Sequence, residues 1–168
     1  MRASRGPEEI KNLLNLDGKV AVITGASGAL GRAICMGLAV HGVNIVACSV
    51  EQHALEEVAA EIGKTTGQKI LPVFCDVTDE QSVDQMVNLT IGAYGRIDIL
   101  FTAAGIAHRE RLVELGIDEW QEVMDVNVKG TLIPCRAVAR QMIEKGVAGS
   151  IITVGSVRGF HAHKDGYT

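Results

Sequence analysis

Short aliphatic runs alternate with longer amphipathic segments along the chain, and this rhythm constrains the fold more than any other feature. The first run, Lys19-Val-Ala-Val-Ile-Thr24, ends in a glycine cluster, the pattern of a strand buried on both faces. From Ala29 to His41, residues Leu30, Ala33, Ile34, Leu38 and Ala39 recur at three- and four-residue steps, which predicts a helix stopped by Gly42. The same logic predicts a strand over Val43–Cys48, a helix from Gln52 to Ile62 ended by Gly63, and a strand over Ile70–Phe74. Pro72 cannot donate to a ladder, so this third strand belongs at a sheet edge. Thr78 and Gln81 form a capping box for a helix to Tyr94, with Val83, Met86, Val87 and Ile91 on one face and Gly95 as its stop. A fourth strand is expected over Ile97–Phe101 and a fifth over Ser150–Val154. Between them Asp118 caps a helical stretch to Lys145, kinked or restarted between Asn127 and Pro134 because proline lacks an amide hydrogen. Strand–helix repetition of this kind means βαβ units, parallel pairing and right-handed crossovers.

Composition narrows the class. The 168 residues are 47% hydrophobic and 21% charged, enough for one domain with a sizeable core. A net charge of −4 supplies no basic face for nucleic acid, and no apolar stretch reaches the ~20 residues that span a bilayer. Cys35, Cys48, Cys75 and Cys135 are dispersed, without a C-x-x-C pair. They read as reduced thiols of a cytoplasmic protein, not as disulfides or a metal site. Residues 1–15 read as an N-terminal extension with Ile10, Leu13 and Leu14 on one helical face; Glu8 and Glu9 argue against a transit peptide.

The chemistry is expected at the first strand-to-helix turn, Thr24-Gly-Ala-Ser-Gly-Ala-Leu-Gly31. Glycines at 25, 28 and 31 remove side chains where the backbone turns sharply and approaches a ligand. Free amides and the helix dipole at such a turn favour an anion such as a pyrophosphate. A turn serving packing alone is the plainer alternative, which the placement between a buried strand and a helix disfavours.

These residues resemble the T-G-x-x-x-G-x-G fingerprint of short-chain dehydrogenases/reductases, and the likeness runs from Leu16 to about residue 160. Cys75-Asp-Val-Thr-Asp79 is similar to the family's D-V-T/D segment, whose Asp holds adenine. Phe101-Thr-Ala-Ala-Gly-Ile106 falls where the family has N-N-A-G. Trp120 through Val126-Asn-Val-Lys-Gly130 resembles the W…V-N-L-x-G run, and Gly149-Ser-Ile-Ile-Thr-Val-Gly-Ser156 the run that carries the catalytic serine. The resemblance implies a Rossmann-type α/β fold over residues 16–168. Its doubly wound parallel sheet would hold about five strands in the order 3-2-1-4-5 and be truncated at the C-terminal end. It also implies an NAD(P)-dependent oxidoreductase that interconverts a carbonyl and a secondary alcohol by hydride transfer. The implied cofactor contacts are Gly25, Ser27, Gly28, Ala29, Leu30, Gly31, Ser49, Asp76, Val77, Ala103, Ala104 and Gly105, with Asn127 and Ser156 as catalytic participants.

Three departures stand out. Ala29 replaces the middle glycine, Thr102 and Ala103 replace both asparagines of N-N-A-G, and the family's Y-x-x-x-K is not present. The loss of the asparagines predicts a looser loop after the fourth strand. In the family a lysine cation lowers the tyrosine phenol from a pKa of about 10 toward neutrality, so that it can exchange the proton. Here Gly166-Tyr-Thr168 reads as the loop before a missing tyrosine; the alternative, Tyr167 as that tyrosine, has no lysine four residues on. Ser156 would stabilise charge on the substrate oxygen, and Asn127 would orient the lysine through water.

Ser49, followed by Val50 and Glu51, stands where NAD enzymes carry an acid; its lack of charge removes repulsion against a 2′-phosphate and leans toward NADP(H), although no Arg or Lys follows at 50, and Arg32 reads as a contributor or as a solvated side chain. His161 and His163 read as loop residues without a metal partner set, His108 to Arg111 as a substrate-side loop or a solvated cluster, and Asp98 as a local cap or pair. The expected partner is a small carbonyl or alcohol, not nucleic acid or membrane, with homo-oligomerisation through the 118–145 helix in a full-length chain. Two other readings stay open: a catalytically incomplete nucleotide-binding remnant without the proton-donor pair, and a Rossmann site for S-adenosylmethionine.

Overall fold

The computed structural model describes residues 15–157. The Ile10–Leu14 face, Tyr167 and the histidines at 161 and 163 lie outside them. Five parallel strands, β1 (Val20–Thr24), β2 (Asn44–Ser49), β3 (Ile70–Phe74), β4 (Ile99–Thr102) and β5 (Ser150–Thr153), lie in the order β3-β2-β1-β4-β5, as the resemblance implies. Pro72 is in β3, an outer strand, opposite Ala47 of β2. The central strands are apolar on successive residues because both faces are covered. Ala21, Ile23 and Ile45 pack under α1 (Ala29–Val40) and α2 (Gln52–Thr66); Val22, Val46 and Leu100 pack under α3 (Glu80–Tyr94) and α5 (Gly130–Glu144). Each of these Ile, Val and Leu side chains is fully buried, which stabilises the fold by about 1.5–3 kcal/mol apiece.

Several boundaries differ from the sequence expectation, each for a local reason. Helix α2 runs through Gly63 to Thr66, because the left-handed terminator is Gly67 at φ 75°. Asp79, not Thr78, caps α3, accepting the Gln81 amide at 3.0 Å; Thr78 is held instead by Asp76, through its amide at 2.9 Å and its hydroxyl at 2.7 Å. Helix α4 (Ile117–Met124) starts after Gly116 and not at Asp118, with the Glu119 carboxylate accepting the Gly116 amide at 2.6 Å. The expected break in the long helix is a π-helical turn, Asp125–Lys129, after which α5 restarts at Gly130. A Cβ at Gly130 would lie 2.6 Å from Val77 Cγ2, so the restart lets the helix close onto the loop after β3.

Strand β4 begins at Ile99 because Asp98 serves as a tie rather than a ladder residue. Its buried carboxylate accepts the Val20 amide at 3.0 Å, Arg96 at 2.7 and 2.9 Å and Lys19 at 3.3 Å. Its backbone joins the same strands, donating to Val20 and accepting from Ser150, both at 2.8 Å. Strand β5 is the other outer strand, and its side chains are exposed among the described residues.

All four cysteines are free, and burial governs their chemistry. Burial pushes the Cys35 thiol up to about 12 and Cys75 up to about 11, and drives Cys48 well above its ordinary range. Cys135, half-buried, is raised as well. At pH 8 the native chain should therefore modify with a disulfide reagent first at Cys135. The other three should react roughly a hundredfold more slowly than an ordinary thiol until urea exposes them. Rapid native labelling of Cys48 would contradict the packing.

Candidate functional site

Parallel strands deliver their following loops to one sheet edge, the carboxyl end, where α/β proteins bind ligands. Four of these loops enclose a cleft of about 820 Å³, within the range of small-molecule sites. Gly25, Ser27 and Gly28 form its floor, Ser49–Glu51 and Cys75–Thr78 one side, and Ala103–Ile106 the other; Asp118, Gln121, Glu122, Asp125 and Val126 complete the wall. Nine of the expected cofactor contacts thus meet here: Gly25, Ser27, Gly28, Ser49, Asp76, Val77, Ala103, Ala104 and Gly105. Ala29, Leu30 and Gly31 do not line the cleft: Ala29 and Leu30 are exposed in the first turn of α1, and Gly31 is buried beneath the turn.

The turn needs its glycines for distinct reasons. Gly25 sits at φ 66°, and a Cβ there would lie 2.6 Å from the Ala104 amide nitrogen. A Cβ at Gly31 would overlap the Gly25 carbonyl oxygen and lie 2.8 Å from Ala26 Cα. Gly28 is different: its φ is −75° and a Cβ would only touch the Gly25 oxygen at 3.4 Å. Among the described residues no side chain caps α1, so its first amides stay available to an anion. The cradle therefore fits a diphosphate.

The loop after β4 is held more firmly than the missing asparagines suggested. Thr24 takes over part of their work, its carbonyl accepting from Ala103 at 3.2 Å and its hydroxyl from Ala104 at 3.4 Å. Thr102 Oγ1 is buried with no partner among the described residues. Asn127, presented by the π turn, accepts the Ile106 amide on Oδ1 and donates to the Ile106 carbonyl through Nδ2, both at 2.9 Å. Both halves of its carboxamide thus hold the cleft wall in place. His108 pairs with Glu122 at 3.0 Å, fastening the loop further along. Ser156 is exposed beyond the carboxyl end of β5 and does not line the cleft. Asp76 offers a carboxylate at the rim, its backbone fixed by Ser82 Oγ at 2.9 Å.

Sequence reasoning passed over the α4 wall. Asp118, Gln121, Glu122 and Asp125 share one helical face at i, i+3, i+4 and i+7, a spacing legible in the sequence but not its direction toward the cleft. Among the described residues no helix is long and apolar enough to cross a membrane.

An open parallel sheet in the order β3-β2-β1-β4-β5, with an uncapped glycine turn at its carboxyl end, defines a Rossmann-like α/β protein. The chain belongs to the short chain dehydrogenase family, whose model matches residues 19–167. It is 36% identical over 141 residues to D-threitol dehydrogenase of Mycolicibacterium smegmatis, covering 84% of this chain and 54% of that protein. With 2-dehydro-3-deoxy-D-gluconate 5-dehydrogenase of Dickeya dadantii it shares 35% identity over 153 residues, 90% of this chain and 58% of the other. A crystal structure of a short-chain type dehydrogenase/reductase from Mycobacterium marinum superposes with a TM-score of 0.88 at 35% identity, over 92% of this chain and 62% of that one. NAD+-bound xylitol dehydrogenase gives 0.84 at 31% identity, over 89% and 57%. The chain therefore spans little more than half the length of these relatives.

Proposed function

We propose that this chain supplies the coenzyme-binding part of an NAD(P)-dependent oxidoreductase that interconverts a secondary alcohol and a carbonyl. The observation that carries the reading is the uncapped N-terminus of α1 beneath Gly25–Gly28, opening onto a cleft large enough for a dinucleotide. When bound, the nicotinamide would give or take the hydride. The chain's own residues would do the rest. The α1 amides would bind the diphosphate, Asp76 the adenine and Ala103–Gly105 the face toward the nicotinamide. Asn127 acts as a positioning residue through Ile106, and Ser156 would hold the substrate oxygen by a hydrogen bond. The named relatives support a polyol or sugar-acid substrate.

Ser49 in place of an acid supports NADP(H), whereas the NAD+-bound neighbour supports NAD(H). The free thiols support a reducing, cytoplasmic setting, and the exposed Ile117, Trp120, Val128 and Leu132 support self-association of the full-length protein. Titration with NADH or NADPH, read through Trp120 fluorescence, should saturate; an unmoved signal and melting temperature with both would refute the reading. Turnover is tested with polyols by following reduced nicotinamide. Binding without turnover in the full-length protein would identify the nucleotide-binding remnant instead.

A further inference from the structure

The two faces of the sheet are unequally covered. Helices α3 and α5 pack over one face, and α5 reaches both β4 and β5. On the other face α1 lies on β1 and β2 and α2 on β2 and β3, so no described helix spans β4 and β5 there. The parallel register puts Phe101 of β4 beside Ile152 of β5 on that uncovered side. Ile99 and Phe101 keep partial exposure, and Ile152 is 42% exposed. With Ile34 and Leu38 of α1 as one wall, these residues form an open groove of about 630 Å³. An aliphatic and aromatic floor of this kind gains by being taken out of water.

The chain itself enters the groove. Asn15 and Leu16 line its end, and Leu16 packs against the apolar cluster beneath α1. Two bonds fix the backbone at that point: the Asp17 amide donates to Asn15 Oδ1 at 3.0 Å and the Lys19 amide to the Leu16 carbonyl at 3.1 Å. Fourteen residues precede Asn15, and their sequence suits an amphipathic helix. Pro7 fits the first helical position, Glu8 and Glu9 the positive end of the dipole, and Ile10, Leu13 and Leu14 recur at i, i+3 and i+4. A helix over residues 7–14 would be about 12 Å long. The four residues of β4 span about 13 Å, so the lengths match. A segment tethered at the groove's own end is presented at about millimolar effective concentration or more, which favours it over a free partner.

We propose that residues 7–14 form a helix that lies in the groove between α1 and β5, with Ile10, Leu13 and Leu14 against Ile99, Phe101 and Ile152. Asn12 on its opposite face stays in water. The helix acts as a strap that presses β5 against β4, and β5 is the strand that leads to Ser156.

The test is methyl and aromatic NMR on the 168-residue chain. Nuclear Overhauser contacts from the Ile10 and Leu13 methyls to the Phe101 ring are expected, unchanged on dilution. Leu13→Asp should abolish them and lower the melting temperature by about 4–8 °C. Asn12→Asp makes the same change of charge on the opposite face and should leave both in place. Absence of contacts to the Phe101 ring in the wild type would overturn the proposal, as would equal melts for the two variants. Ring contacts from residues after Val157, or only between differently labelled chains in a mixed sample, would give the groove to another occupant and overturn it too.

Discussion

Replacing Gly31 with alanine should lower the melting temperature by about 5–10 °C and remove dinucleotide affinity. The added methyl would drive into the Gly25 carbonyl and the Ala26 backbone, neither of which can swing aside as a side chain would. Overpacking of this kind costs about 2–3 kcal/mol, and in a chain of this size each kcal/mol is worth about 2–4 °C. The turn that relaxes to accept it is the one that would hold the diphosphate. Two controls isolate the effect. Gly28→Ala meets only an ordinary contact at 3.4 Å and should change stability little. Gly37→Ala, in the middle of α1 with nothing within 4 Å, should stabilise by roughly 0.5–1 kcal/mol through helix propensity. Thermal melts of the three variants with a nucleotide titration decide the matter. Equal shifts for Gly31→Ala and Gly28→Ala would refute the account of the turn.

Asp98→Asn should destabilise the chain by about 2–3 kcal/mol at neutral pH, because one of its amide hydrogens would face the Arg96 guanidinium and the charge that holds Lys19 would be gone. Burial by itself would raise the carboxyl of Asp98, but hydrogen bonds from Arg96, Val20 and Lys19, with the Lys19 charge, hold it below the usual carboxylate range. A depressed carboxyl contributes stability that is fully present above its unfolded value of about 4 and is lost as pH falls through the folded one. Urea denaturation at neutral pH and near pH 3 should therefore show the wild type losing its advantage over Asp98→Asn in acid. A difference that stayed constant across that range would mean the ion cluster contributes nothing.

How much of this was legible beforehand follows from the range of the interactions. The element order, the outer position of β3 and the glycine turn can be read in the sequence, since hydrophobic period, the missing amide hydrogen of Pro72 and the conformational demands on Gly25 are properties of neighbouring residues. The helix starts at Asp79 and Gly116 were misread by one or two residues because competing side chains decide a cap: Asp76 draws Thr78 away, and Glu119 folds back on Gly116. The clamp of Asn127 on Ile106 spans 21 residues and the tie from Asp98 to Val20 spans 78. No local pattern can announce such a meeting. The sequence alone thus determined the alternation of strands and helices and the glycine turn after β1, because those depend on the chain's immediate neighbours. Only the tertiary structure decided that Ser49 turns inward, that Glu51 stands at the rim and that the α4 acids face the cleft. Those outcomes depend on which distant surfaces pack together and on the direction each side chain is left to point.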